Sequence, residues 1–294
     1  MLNKEQILKF ERDGYIHLKK FFSDSEVKNF SRAIEKKKLI IKEEKVDRSV
    51  DINELWDFIN HTKMLGAIRS LLGDKIFYMH DAGILASSTN ITSTTWHRDN
   101  PCRKTGVGPD WNLNEKYNVV SAAVYLTDSN STLNVIKKSH LKKYKYSISN
   151  ILRVIQLQLR KAKKFLFLKN IIESFIGEHV RYSAGDLVIF YTTLYHTGFS
   201  INSESSYREG LIARYSGEGN HGKTFLNYEM NYRDGLQKYE ISKKKDIFFK
   251  MLKNNNIYLS PEIKKDKIQG IFIPKDKTND SVYNTKMLFS LFKI

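Results

Sequence analysis

Two short segments, far apart in the sequence, carry residue types that can bind a metal ion. The first contains His97 and Asp99, and the second contains His196. On an extended strand, positions i and i+2 share a side, so His97 and Asp99 offer a nitrogen and an oxygen together, whereas Trp96 and Arg98 point the other way. Two imidazoles and one carboxylate, without thiolates, suit iron(II) and leave positions open, as oxygen chemistry at non-haem iron requires.

A guanidinium group that could accompany this set follows His196 in the sequence. Arg208 begins a β-type run, and a hairpin would return it to a position near His196. Because the planar arginine fork binds a carboxylate through two hydrogen bonds, it can anchor a dicarboxylate cosubstrate beside a metal. Arg214 is the competing candidate for this role. The alternative interpretation is that Arg208 is a surface residue paired with Glu204 or Glu209.

Short β-type runs, separated by turn signals, fill the middle of the chain. The candidate metal ligands lie among these runs, so the predicted strands must position them. Several short strands of this kind predict an all-β barrel or sandwich. The runs span residues 76–79, 83–86, 119–126, 133–136, 187–190, 199–202 and 211–215.

Helix signals precede these strands. Asn3 can cap a first helix, and Ser23 with Glu26 forms a capping box before a second helix. A third helix is predicted from Leu55 to Leu72, with Gly73 ending it. The sequence therefore predicts a mainly β fold with flanking helices.

A basic segment interrupts the predicted strands. Residues 129–172 contain no Asp or Glu and 11 Lys and Arg residues. At helical spacing, Ile151 and Ile155 share one side, whereas Arg153 and Arg160 share the opposite side. We therefore predict a basic amphipathic helix whose apolar side packs on the barrel. Two other interpretations stay open, a lid over the site and docking on an anionic membrane surface.

Composition narrows the class of protein. The 294 residues are 41% hydrophobic, which allows a sizeable core. A single cysteine, Cys102, excludes a disulfide framework within the chain, and no apolar run suggests a signal peptide or a membrane span, so we expect a cytoplasmic protein. The net charge of +17 favours anionic partners or a solvated basic face. A nucleic-acid partner is disfavoured, because no known reading module is present.

Four ordered motifs, spread over residues 7–216, resemble those of the phytanoyl-CoA dioxygenase (PhyH) family of Fe(II)- and 2-oxoglutarate-dependent oxygenases. Their order makes the resemblance more specific than any one motif. They are the opening stretches 10–16 and 21–27, the His-x-Asp at 96–99, the strand pair 122–128 and 135–140, and the distal segment 185–190 with His196, Gly198, Asn202 and Arg208.

The resemblance implies that His97, Asp99 and His196 bind Fe(II) and that Arg208 binds the 5-carboxylate of 2-oxoglutarate. With O2 as second cosubstrate, the family reaction converts 2-oxoglutarate to succinate and CO2 while it oxidises a small or conjugated organic substrate. Related halogenases lack the carboxylate and leave its position to a halide, so Asp99 favours hydroxylation. Desaturation, ring formation and epoxidation stay open, and an anionic substrate would suit the basic segment.

The implied fold is a double-stranded β-helix, a jelly-roll, cupin-like barrel. We expect a dioxygenase domain over residues 1–220, a basic helical insertion at about 141–172, and a C-terminal extension, 221–294, packed on the same domain. The alternative to an enzyme is a catalytically silent binding or scaffold protein of the same fold, attached to an anionic membrane or polymer through its basic helix.

Overall fold

The computed structural model describes residues 1–44, 51–87, 96–99, 115–128, 131–141, 147–161, 172, 175–200, 208–222, 224–225 and 244–258. Its helices are α1 (Lys4–Asp13), α2 (Asp24–Glu44), α3 (Asn53–Ile59), α4 (Thr62–Leu72), α5 (Ile148–Lys161) and α6 (Lys245–Asn254). Its strands are β1 (Tyr15–Leu18), β2 (Ile76–Ser87), β3 (Val119–Tyr125), β4 (Ser131–Val135), β5 (Glu178–Arg181), β6 (Leu187–Tyr191), β7 (His196–Ser200), β8 (Arg208–Ser216) and β9 (Ile257–Tyr258).

The strands form two sheets. The first has the order β1-β6-β3-β8-β2-β9, and the second has the order β5-β4-β7. Pairing is antiparallel except between β2 and β9, which run parallel. The architecture is therefore mainly β with flanking helices, as predicted, and the described residues do not form a closed barrel. Among the described residues, no helix is long and apolar enough to cross a membrane.

The helix starts predicted from capping residues are confirmed. Asn3 and Gln6 satisfy each other's backbone N–H groups at the start of α1. Ser23 and Glu26 do the same before α2, where the Ser23 backbone donates to the Glu26 carboxylate at 2.7 Å. This pairing, followed by a hydrogen bond from His61, lowers the pKa of Glu26 to about 2.

The single helix predicted from Leu55 to Leu72 is wrong, because two helices occupy that stretch. α3 ends before Asn60, whose side-chain amide donates to the Trp56 carbonyl at 2.9 Å. His61 then caps α4, since its Nδ1 accepts from the Met64 backbone N–H at 3.4 Å. Side chains that bond to nearby backbone groups replace intrahelical bonds, which explains the break. Gly73 does end α4, as predicted.

The core lies where the helices pack on the first sheet. It contains Phe10 of α1, Phe30 of α2 and Phe58 of α3, all at most 1% exposed, together with the fully buried strands β3 and β6. From α6, Phe248 and Leu252 enter the same cluster. Beside β9, the end of α6 receives hydrogen bonds from Arg69 of α4.

The prediction that the apolar side of the basic helix packs inward is wrong for the described part of α5. Arg153 is buried, with 2% of its surface exposed, whereas Ile155 is 37% exposed and Ile148 is 75% exposed. Asn150 and Val154 accompany Arg153 on the buried side. A hydrogen bond from the Arg153 guanidinium to Asn150 Oδ1 offsets part of the cost of burying a charge. The helix is therefore anchored through the polar Arg153 and Asn150 together with the apolar Val154 and Leu152.

Candidate active site

The structure brings the two histidines of the distant segments side by side. His97 forms an isolated antiparallel bridge with His196, the first residue of β7. Each backbone N–H donates to the other residue's carbonyl at 3.0 Å, and the ring centroids are 4.3 Å apart. This reciprocal pair fixes the position of one imidazole relative to the other.

Asp99 completes a three-residue cluster. Its Oδ1 lies 3.6 Å from Nε2 of His196 and 4.0 Å from Nε2 of His97. One ligand atom from each residue lies within 4.8 Å of the others. Ligands with bonds of about 2.1 Å to one ion are separated by roughly 3–4 Å, so a single ion fits between these atoms after small side-chain adjustments.

The two oxygens of the Asp99 carboxylate have different partners. Oδ2 accepts hydrogen bonds from Ser121 Oγ at 2.9 Å and from Arg214 Nε at 3.3 Å, and it forms an ion pair with Arg214 Nη2 at 3.0 Å. Arg214 also donates to Ser121 Oγ at 3.1 Å, and the two residues are register partners on β3 and β8. Since Oδ2 is held by the first sheet, Oδ1 is directed toward the histidines of the second. Hydrogen bonds of this kind orient carboxylate ligands of metals.

The tautomer of His196 follows from its hydrogen bond. Its Nδ1 lies 3.0 Å from the Leu194 carbonyl oxygen, which can only accept, so Nδ1 carries the proton. Nε2 therefore keeps its lone pair for a metal ion. The side chains of His196 and Asp99 are 8% and 9% exposed, whereas that of His97 is 48% exposed. His97 is therefore the solvent-exposed member of the cluster.

The residues beside His97 point away from the cluster, as the alternation of an extended segment predicted. Trp96 is buried in a second hydrophobic cluster with Ile136, Ile176 and Tyr195. Arg98 donates to the Ser139 carbonyl at 3.1 Å.

The two candidate arginines lie on one strand. Arg208 begins β8, where its backbone pairs with Ser87, and its side chain lies outside the described residues. Arg214, six positions later on β8, forms the ion pair with Asp99. Because its guanidinium already binds a carboxylate of the cluster, Arg214 is a partner of Asp99. Cys102 also lies outside the described residues.

Sequence reasoning missed the roles of Ser121 and Arg214, although both left a signal. Ser121 is the polar residue within the otherwise apolar run 119–126, and it is fully buried. Arg214 interrupts an apolar run in the same way. A polar residue on a buried strand needs a partner, so these two positions pointed to a polar feature between the sheets.

His140 lies outside the cluster. Its Nε2 is 3.1 Å from the Glu11 carbonyl, its ring stacks on Tyr191 at 5.0 Å, and burial lowers its pKa to about 4. It is therefore a neutral core residue near α1, so nothing in its contacts assigns it to the metal cluster.

Comparison with known proteins identifies the family. The family model described as phytanoyl-CoA dioxygenase (PhyH) matches residues 10–210. No curated protein matches the sequence.

Similar solved structures share the fold at low sequence identity. The non-heme alpha-ketoglutarate-dependent carbocyclase SnoK from nogalamycin biosynthesis is 19% identical over 74% of this chain and 84% of its own, with a TM-score of 0.53. AviO1 from Streptomyces viridochromogenes Tue57 is 14% identical over 74% and 97%, with a TM-score of 0.52. The non-heme monooxygenase ThoJ, in its nickel complex, is 13% identical over 85% and 99%, with a TM-score of 0.52.

The match to the family model and the geometry of the three-residue cluster lead to the same conclusion. Two imidazoles and one carboxylate, carried by β7 and by the segment that bridges to it, form a ligand set that suits iron(II) with 2-oxoglutarate as cosubstrate. The intact set gives no support to a catalytically silent scaffold. The chain belongs to the phytanoyl-CoA dioxygenase family of iron(II)- and 2-oxoglutarate-dependent oxygenases.

Proposed function

We propose that this protein is a hydroxylase in which His97, Asp99 and His196 hold iron(II). The observation that carries the proposal is the arrangement of Asp99, whose Oδ1 faces Nε2 of both histidines while Oδ2 is held by Ser121 and Arg214. A carboxylate thus fills the position that related halogenases leave to a halide.

Iron(II) with 2-oxoglutarate and dioxygen supplies the oxidising power, so that 2-oxoglutarate yields succinate and CO2 and one oxygen atom enters a substrate C–H bond. The chain's own residues set the conditions for this reaction. The Nδ1 proton on His196 keeps Nε2 available as a ligand atom, and Ser121 orients Asp99. Asp99 and His196 are shielded from solvent, whereas His97 is the exposed member of the set.

We infer that Arg208 binds the 5-carboxylate of 2-oxoglutarate. Two observations support this choice over Arg214. The Arg214 guanidinium is engaged with Asp99, and Arg208 stands six positions before it, at the start of the same strand, β8. The role itself follows from the family motif and the arginine fork's fit to a carboxylate.

We also infer a jelly-roll for the whole domain. Its support is the strand order, in which β2-β8-β3-β6 form one sheet and β5-β4-β7, extended by the bridge at His97, form the other. Residues 1–220 would form the dioxygenase domain, with the insertion at about 141–172. The burial of Phe248 and Ile257 in the common core supports packing of the extension, 221–294, on the same domain.

The substrate that we propose is a small or conjugated organic molecule, with an anionic one suited to the basic insertion. If lysines of the insertion attract it, the double variant Lys163→Glu and Lys164→Glu should raise the substrate KM and leave substrate-free succinate formation unchanged. An unchanged KM would contradict the anionic substrate and leave the hydroxylase proposal intact.

The test of the hydroxylase proposal is a product analysis. Purified protein with iron(II), 2-oxoglutarate and labelled dioxygen is offered a panel of small and conjugated acids, and succinate and products are measured together. The similar structures include a carbocyclase and a monooxygenase, so the fold does not determine the reaction type. We expect a product with one labelled oxygen atom, formed with succinate and lost in His196→Ala. Products that have only lost hydrogen would overturn hydroxylation.

A further inference from the structure

Tyr195, the residue before the metal-ligand candidate His196, lies against two guanidinium groups. The Cζ atom of Arg98 is 4.1 Å from the Tyr195 ring centroid, and the Cζ atom of Arg153 is also 4.1 Å from it. Arg98 follows His97 directly, whereas Arg153 belongs to α5. One aromatic ring therefore links the insertion helix to the two segments that carry the histidines.

The contact between Arg153 and Tyr195 determines how α5 is oriented. A helix that only covered the surface would leave an arginine in water and bury its isoleucines. Here Arg153 is 2% exposed and Ile148 is 75% exposed. The Arg153 guanidinium donates to Asn150 Oδ1 at 3.0 Å, so its plane is held while it packs against the ring. Cation–π attraction is strongest when the cation is desolvated in this way.

The backbone around this stack belongs to the metal-ligand segments. The Tyr195 backbone N–H donates to Ser139 Oγ at 2.8 Å, and the Tyr195 carbonyl accepts from the Ile136 N–H at 2.9 Å. Arg98 donates to the Ser139 carbonyl at 3.1 Å. The loop after β4 thus joins the residue after His97 to the residue before His196, directly beneath α5.

The segment of His97 needs such support. His196 is held by the pairing of β7 with β4, whereas His97 is joined to His196 by two reciprocal backbone hydrogen bonds at one isolated bridge, and a pairing this short is weak by itself. A metal site keeps its affinity when packing and outer hydrogen bonds hold the ligands in place before the metal binds.

We propose that Arg153 is a positioning residue, which fixes α5 on Tyr195 and thereby holds the His97 and His196 segments at the separation that a metal ion requires. This assigns to the basic insertion the role of a brace behind the metal ligands. The inference rests on the proposed function only in taking His97 and His196 as metal ligands.

The test is a cobalt(II) titration of the metal-free protein without oxygen, followed by the visible absorption of the bound ion. Arg153→Met keeps the long unbranched stem and removes the guanidinium. We expect it to weaken cobalt binding by about tenfold, the lower end of the range for residues that orient metal ligands, and to alter the cobalt absorption bands. Arg153→Lys, which keeps the charge and loses the planar face, should fall between Arg153→Met and the wild type.

Val154→Ala is the matched control, because Val154 is the next residue of α5 and is 1% exposed. It should lower the melting temperature and leave cobalt binding unchanged. The proposal is overturned if Arg153→Met binds cobalt as tightly as the wild type, or if Val154→Ala weakens binding equally at an equal loss of melting temperature. A wild type that binds no cobalt would overturn the proposed function itself, and this inference with it.

Discussion

Replacing Asp99 by asparagine should damage the metal site more than replacing it by alanine. In Asp99→Asn, one end of the side chain must accept hydrogen bonds from Ser121 at 2.9 Å and from Arg214 Nε at 3.3 Å. Only the amide oxygen can do so, because the guanidinium has no acceptor. The NH2 group then takes the place of Oδ1 and faces Nε2 of His196 and His97, where the ion should bind.

The size of this effect follows from the hydrogen bonds that hold the amide. Turning it to present its oxygen to the metal would break the hydrogen bond from Arg214 Nε and set donor against donor. A bond to a charged group is worth about 1.5–3 kcal/mol, so turning costs about 10- to 100-fold in affinity. In Asp99→Ala a water molecule can enter the space of the side chain and bind the metal. Arg214 carries the same charge in both variants, so it does not contribute to the difference between them. We therefore expect Asp99→Asn to bind a divalent metal about 10- to 100-fold more weakly than Asp99→Ala.

The assay is isothermal titration of the metal-free variants with nickel(II), which needs no exclusion of oxygen. Asp128→Asn is the matched control, because Asp128 accepts from the Ala184 backbone at an exposed turn and should bind nickel like the wild type. If Asp99→Asn binds nickel as tightly as Asp99→Ala or more tightly, the division of roles between Oδ1 and Oδ2 is wrong.

Three further outcomes concern the N-terminal part of the fold. Gly14→Ala should lower the free energy of unfolding in urea by at least about 2 kcal/mol, because φ of Gly14 is +89° and a Cβ would lie 2.3 Å from His140 Nδ1 and 2.6 Å from Leu194 Cδ1. A loss below about 1 kcal/mol would contradict this expectation. Burial lowers the pKa of His140 to about 4, so its contribution is complete above pH 6.5 and falls on acidification, by about 2–3 kcal/mol at pH 4.5. In the wild type, the free energy of unfolding in urea should be lower at pH 4.5 than at pH 7.5, and His140→Gln should reduce this difference by that amount. If the difference is the same in both proteins, His140 is not a buried neutral residue. Asn3→Ala should lower the free energy of unfolding by about 1 kcal/mol, because it removes the side chain that accepts a hydrogen bond from the Gln6 N–H. An unchanged free energy of unfolding in urea would show that the capping box contributes nothing to stability.

Local signals predicted the positions of the elements well, because their physical causes are local. The capping box at Ser23 and the turn before Leu187 depend on neighbours within a few residues, and both lie where the sequence placed them. The His-x-Asp segment behaved in the same way, since alternation alone separates His97 from Arg98. The family motifs added the pairing of His97 with His196, which no local pattern contains.

The features that could not be predicted from the sequence depend on contacts between elements that are far apart in the chain. Arg153 of α5 packs against Tyr195, a residue of another element, so the helical wheel misassigned Arg153 and Ile155. The break between α3 and α4 has a similar origin, because His61 caps α4 while its other ring nitrogen binds Glu26 of α2 at 2.7 Å. The ion pair between Asp99 and Arg214 joins two sheets and has no trace in spacing.

The central claim, that this chain binds iron(II) and 2-oxoglutarate together, has a direct test that needs no substrate. Iron(II) and 2-oxoglutarate are added to the metal-free protein without oxygen, and the visible spectrum is recorded. We also compare His97→Ala, Arg208→Ala and, as a control, Arg181→Ala, which replaces an exposed arginine of β5. We predict a weak charge-transfer band that requires both additions, persists in Arg181→Ala and is lost at ordinary 2-oxoglutarate concentrations in the other two variants. A folded, reloaded wild type without this band would contradict the account.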